Sequence, residues 1–212
     1  CQGIWPSWPM ARLRAIAAGG VPNYFGEQRF GRDGDNVEAA RRMFAGQRVR
    51  REQRSIYLSA ARSALFNAVL AERVRAGDWG TGRDGEVWML DGRSSVFGPE
   101  PLDDTLAARA AALDIHPTGP LWGRGASLAS GAVAELEEAV VAPFADLREG
   151  LEAAGLRQER RALRVRVEGL AWDWPAEDVV ALRFSLPPGA YATTLLAGLG
   201  TVAAVRGNPS AA

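Results

Sequence analysis

The chain has 212 residues, long enough for one large domain or two modest ones, each with a real core. Apolar residues make up 47% and charged residues 24%, an ordinary globular balance, and no run approaches the roughly 18 apolar residues of a membrane span. The single cysteine, Cys1, excludes an internal disulfide framework and makes a reducing cytoplasm the expected compartment. The formal net charge is zero, which speaks against a uniformly basic coat, yet all 25 basic residues are arginine and they cluster. Between Arg41 and Arg62, arginines 41, 42, 48, 50, 51, 54 and 62 face one acid, Glu52. That patch suits a phosphate backbone; the lesser reading is a solvated basic face, or arginine imposed by genome composition.

In chain order, Met10–Ala18 reads as a short helix stopped by Gly19-Gly20. The run Gly20–Gly31 follows, with Pro22, three glycines and the aromatics Tyr24, Phe25 and Phe30. Its glycines and proline set turns, its aromatics can anchor to a core or stack on a flat ligand, and Asn23, Gln28 and Arg29 can read edges or phosphates. Asn36 can cap a helix with Val37, Ala40, Met43 and Phe44 on one face, which places Arg41 and Arg42 toward water or RNA. Ser55 opens the strongest helix, with Tyr57, Leu58, Ala61, Leu65, Val69 and Leu70 at helical spacing and Gly77 past its end. Arg54, Arg62 and Asn67 belong to this region, Arg62 on the rim of the apolar stripe.

Val87–Leu90, Asp91-Gly92 and Ser94–Phe97 read as a β-hairpin. Asp103 caps a helix that runs to about Leu113. His116–Gly125 reads as a second loop rich in Pro, Gly and aromatic residues; His116, the only histidine, has no cysteine or second histidine nearby to make a metal site, and reads as structural ahead of a lone general base. Ala132–Ala154 is helical, split by Pro143. Leu163, Val165 and Val167 alternate with Arg164, Arg166 and Glu168 as one strand, and Val179–Leu186 is the next, joined by a Trp172–Asp178 connection. A helix starts near Ala190-Tyr191, and the tail Gly207–Ala212 reads as disordered.

The change of character near residue 165 suggests an α+β protein in which a mostly helical unit, 21–165, is inserted into a host domain that owns 1–20 and 166–212. No Gly-Lys-Ser/Thr phosphate loop, dinucleotide fingerprint or Gly-x-Ser-x-Gly elbow is present, so no cofactor and no metal are expected.

Four ordered stretches carry a resemblance: Gly20–Gly31; Arg54-Ser55 with Leu58–Asn67; Gly119-Pro120-Leu121-Trp122-Gly123; and Phe184-Ser185-Leu186-Pro187-Pro188-Gly189-Ala190-Tyr191-Ala192-Thr193. Together they resemble the TruD family of tRNA pseudouridine synthases over nearly the whole chain. The resemblance implies a mixed, antiparallel-sheet catalytic domain that carries the insertion. It also implies cofactor-free isomerisation of a tRNA uridine, position 13 in bacterial members, to pseudouridine. A catalytic aspartate enables cleavage of the N1 glycosidic bond, the uracil turns, and the ring rejoins through C5. The target base must leave its stack, and the family's base-contacting aromatic falls on Tyr191. Asn23, Phe25, Gln28, Arg29, Arg54, Arg62 and Asn67 are the candidates for binding RNA or lining its cleft.

The chain departs from the family in lacking the Ala-Gly-x-Lys-Asp motif that holds the aspartate, since it has no lysine. The upstream Asn-x-Phe strand is also missing, and Ala197-Gly198 stand where Arg-Glu is usual. No catalytic residue is therefore assigned. The expectation is the C-terminal portion of a cytoplasmic enzyme that opens within a longer polypeptide, is monomeric when complete, binds tRNA and no membrane, and needs the missing N-terminal part for turnover. The alternatives are a non-catalytic RNA-binding module derived from such an enzyme and a protein-interaction domain whose arginines pair with acidic partners.

Overall fold

The computed structural model describes residues 7–31, 34–176 and 179–199; the tail read as disordered lies outside them. The fold is α+β. Helix α1 (Ser7–Gly19) enters a short strand β1 (Val21–Pro22). Helices α2 (Asp35–Phe44) and α3 (Arg51–Ala76) follow, then the hairpin β2 (Glu86–Leu90) and β3 (Val96–Glu100). After α4 (Asp104–Ala111) come β4 (Ile115–Leu121), α5 (Gly131–Val141) and α6 (Ala145–Ala153). The chain ends with β5 (Glu159–Ala162), β6 (Arg164–Val165), β7 (Glu168–Ala176), β8 (Val179–Ser185) and α7 (Ala192–Ala197). Among the described residues no helix is long and apolar enough to cross a membrane.

Local chemistry accounts for several boundaries. The Asp103 side chain accepts the Leu106 N–H at 2.7 Å and opens α4. Gly77, at φ 80°, ends α3 in the left-handed conformation that a side chain resists. Helix α3 starts one turn earlier than Ser55, at Arg51, because the Gln53 side chain accepts the Arg50 N–H at 3.3 Å and ties off the helix start.

Three layers bury the apolar stripes. Helices α2, α3, α5 and α6 enclose Ala40, Ala61, Leu65, Val69, Val141, Leu147 and Leu151 with Trp122. The antiparallel sheet β3-β2-β4-β5 carries Trp88 and Ile115 against Leu106 and Ala110 of α4. A third cluster joins Ile16, Val21, Val165, Val167 and Leu195, with Leu170 and Phe184 packed on it. Here β1 and β6 pair, Val21 opposite Val165, so the two ends of the 21–165 segment lie side by side. Gly20 makes this approach possible: a Cβ there would stand 2.3 Å from the Val165 carbonyl oxygen.

Four expectations are corrected. The stretch His116–Leu121 is a strand rather than a loop, paired with β2 on one side and β5 on the other. Its glycine serves packing and not turning, since a Cβ at Gly119 would meet Leu163 at 2.8 Å and Phe66 at 3.1 Å, where α3 crosses the strand. Burial on both faces outweighs the local breaker signal of Pro117 and Pro120. Trp172–Ala176 belongs to β7 rather than to a connection, with Trp172 opposite Leu182. Leu163–Glu168 is not one strand: only Arg164–Val165 pairs, with β1, and β7 starts afresh at Glu168, while Arg164 is 5% exposed and donates to the Ala110 and Ile115 carbonyls and to His116 Nδ1. Arg41 is not free either, because it pairs with Glu38 and Asp146.

Candidate nucleic-acid interface

The loop after β1 is fastened before it can be used. Asn23 is buried; its amide donates to the Ala162 carbonyl at 2.8 Å and its oxygen accepts from Arg161 Nη2 at 2.6 Å. Two residues on, the Asn67 side chain of α3 grips the Phe25 backbone from both sides, accepting its N–H at 2.9 Å and donating to its carbonyl at 3.0 Å. This amide clamp mimics a strand neighbour and satisfies backbone groups that a loop would otherwise leave open. It also aims the Phe25 ring, which meets Phe66 edge-on at 5.5 Å and Tyr191 at 6.4 Å.

Tyr191 stands at the start of α7 with extended backbone (φ −118°, ψ 123°), its carbonyl accepting the Thr194 N–H. Gly26 makes room for the ring, since a Cβ at Gly26 would lie 3.2 Å from Tyr191 Cδ1. Arg29 Nη2 donates to the Tyr191 hydroxyl at 3.0 Å, and Arg29 Nη1 donates to Ser59 Oγ at 2.9 Å, so α3 holds the tyrosine through one guanidinium. A second arginine braces the backbone, Arg161 Nη2 donating to the Gly189 carbonyl at 2.9 Å. Both guanidiniums lie against Phe25, Arg161 at 4.0 Å and Arg29 at 5.4 Å from its centroid.

Neither Arg29 nor Arg161 takes part in an ion pair among the described residues. Burial pushes Arg161 down to about 10, with Tyr191 opposing the shift and Arg29 adding to it. An aromatic ring beside two guanidiniums without carboxylate partners can stack a base and take a phosphate. Among the described residues no acid is hydrogen-bonded to this cluster.

The structure thus brings together Asn23, Phe25, Arg29, Asn67 and Tyr191. Gln28 and Arg54 are exposed and stand outside the hydrogen bonding of the cluster. Arg62 is spent elsewhere: it donates to the carbonyls of Trp122, Leu121 and Arg157 and pairs with Glu159, fastening α3 to the end of β4. Burial lowers its basicity and Glu159 opposes that shift. Arg161 is absent from the candidates read from sequence. Its only signal is position two before Leu163 in a strand, on the opposite side from Arg160, which is buried against Glu137. His116 is held between Asp91 at 2.7 Å and Arg164, and no group of three or more potential metal ligands occurs among the described residues.

The fold and the cluster define an α+β protein with an arginine-and-aromatic junction at which a helical unit, a four-stranded sheet and a terminal hairpin meet. Residues 32–199 match the family model of tRNA pseudouridine synthase D (TruD), and the chain belongs to the TruD family. It is 55% identical over 207 residues to the tRNA pseudouridine synthase D of Xanthomonas campestris pv. campestris, covering 91% of this chain and 56% of that protein. It is 51% identical over 187 residues to the protein of the same name from Aeromonas salmonicida, covering 88% and 53%. The chain therefore spans about half the length of these relatives. The TruD crystal structure from Methanosarcina mazei shares the fold, with a TM-score of 0.66 at 20% identity over 92% of this chain and 65% of that one.

Proposed function

We propose that the chain is the C-terminal portion of a cytoplasmic tRNA pseudouridine synthase and supplies the base-facing wall of its active site, while the aspartate comes from sequence outside it. The observation that carries this reading is the seating of Tyr191. Its ring is fixed by Gly26, by Phe25 and by an Arg29 hydrogen bond at 3.0 Å, beside cations that no acid among the described residues pairs with. A uridine extracted from its stack would lie against that ring, its phosphate attracted by Arg29 and Arg161. The isomerisation needs no external reagent. N1 releases C1′, the uracil turns, C5 bonds to C1′, and the proton lost from C5 is balanced by one gained at N1. In this reading residues 21–165 form the inserted domain, and the pairing of Val21 with Val165 supports that boundary.

A second reading, an RNA-binding module without turnover, is favoured by the absence of any carboxylate hydrogen-bonded to the cluster among the described residues. Pseudouridine content after incubation with unmodified tRNA tests both. The chain alone is expected to convert nothing, whereas a chain extended to the length of its relatives converts uridine and loses most of that rate on Tyr191→Ala. Turnover by the 212 residues alone would overturn the assignment of the aspartate elsewhere, and an inactive extended chain would favour the module.

A further inference from the structure

Beside the Tyr191 cluster lies a cavity of about 440 Å³, within the range of roughly 300–1,000 Å³ typical of ligand sites. Its walls are the β2–β3 turn at Asp91–Ser94, strands β4 to β6, and Pro187-Pro188, the residues that lead into Gly189 and Tyr191. Arg161 and Asn23 belong to both places: they line the cavity and brace the tyrosine loop.

The charge of this cavity is unbalanced. Five arginines line it, at 93, 160, 161, 164 and 166, against Asp91 and Glu168. Arg160 is matched by Glu137, which it holds with two hydrogen bonds of 2.7 and 2.9 Å. Asp91 is shared between Arg166 and His116. Arg164 donates its Nε proton to His116 Nδ1, so the ring proton sits on Nε2 and donates to Asp91, and the histidine adds no acid to the account. Among the described residues neither Arg161 nor Arg164 is in ion-pair contact with a carboxylate; burial pushes each down to about 10, Asp91 opposing the shift of Arg164 from a distance. Arg161 Nε is moreover buried with no hydrogen-bond partner, and Arg93 is exposed with its guanidinium uncommitted. A buried donor without a partner and a surplus of buried cations are features that an anionic ligand would satisfy.

We propose that this cavity receives the nucleotide next to the one lying on Tyr191, with its phosphodiester held by Arg161 and Arg93. The inference rests on the reading of Tyr191 as the base-facing residue and adds the path of the RNA beside it. Arg161 then joins two consecutive nucleotides, while Arg164, whose donors point inward, contributes field rather than contact. Because Asn23 fixes Arg161, the loop after β1 couples the cavity to the tyrosine.

The test is titration of the isotope-labelled 212-residue chain with a single-stranded uridine trinucleotide, with uridine and with inorganic phosphate, following the arginine Nε–H resonances by NMR. The trinucleotide is expected to shift Arg161, Arg164 and Arg93. R93A, exposed and therefore harmless to folding, is expected to weaken the trinucleotide about tenfold and lower its salt slope by about 1, leaving uridine unaffected. Y191A should weaken trinucleotide and uridine alike. If the trinucleotide binds and depends on Tyr191 but ignores R93A and leaves the Arg164 resonance in place, the cavity assignment is wrong and the tyrosine reading survives. If phosphate moves these resonances without competing with the trinucleotide, the cavity is a free-anion site and the proposal is overturned. No binding of RNA at all would overturn both readings.

Discussion

The segment 34–165 and the segment 166–199 bury their apolar residues in different ways. In the first, Trp88, Phe66, Leu65, Leu147 and Leu151 are all at 0% exposure, and charged groups are sealed in as pairs, Arg160 with Glu137 and Arg73 with Glu86 at 2.6 Å. In the second, β7 and β8 form a two-stranded sheet on their own, and Val179 and Val180 at 45% and 38% exposure lack cover. Two strands give little independent stability. The cluster around Tyr191 lies where these segments meet, so its geometry is set by the well-packed side: Asn67 and Arg161 reach across from it, and Ser59 holds Arg29 in place. The difference teaches that the tyrosine is presented by a rigid partner and carried on a lightly packed element.

The largest expected effect sharpens the packed side. Glu137→Ala leaves Arg160 buried without its carboxylate and should cost about 3–5 kcal/mol, read from the urea midpoint of the chain. Asn67→Ala removes both hydrogen bonds to Phe25 and should cost about 1–3 kcal/mol, while also weakening RNA binding by freeing the loop. An equal stability loss with unchanged binding would detach the clamp from the site. His116 gives a pH signature. Burial is the chief cause lowering its pKa; the Asp91 hydrogen bond opposes that shift, and Arg164 adds to the lowering. The unfolded chain then takes up the proton first. The stability due to neutral His116 is complete above the ordinary value of 6.5 and is lost as pH falls from there through the lowered folded value. His116→Gln should flatten that acid slope in midpoint measurements between pH 7 and 5. The smallest effect breaks the comparison if it fails: Val180→Thr on the uncovered hairpin should change stability by no more than about 0.5 kcal/mol. A loss near that of Glu137→Ala would mean the hairpin is as tightly packed as the rest.

Much of the fold was legible. The Asp91-Gly92 hairpin, the Asp103 cap, the break at Pro143 and the long stripe of α3 follow from turn chemistry and period, which act within a few residues. Strand β4 was not, because Pro117, Gly119 and Pro120 carry a local loop signal that α3 and the neighbouring strands override by packing on both faces. In the same way, the alternation around Arg164 holds for a half-exposed strand and fails where both sides are covered. The site divides likewise. Tyr191, Asn23, Phe25, Arg29 and Asn67 stood out by residue type and motif, whereas Arg161 did not, since one arginine among 25 carries no mark of which will face an aromatic ring.

By itself the sequence determined the α+β class and the family, and singled out the loop and the tyrosine as candidates, because these rest on local turn chemistry, hydrophobic period and ordered motifs. Only the tertiary structure decided which arginines are consumed and which stay unpaired. Arg62 and Arg160 meet carbonyls and carboxylates across more than 20 positions of chain, while among the described residues Arg29 and Arg161 meet only rings, hydroxyls and neutral carbonyl or amide oxygens. A cation's freedom depends on what stands within about 4 Å of it in space, a neighbourhood that sequence order does not encode.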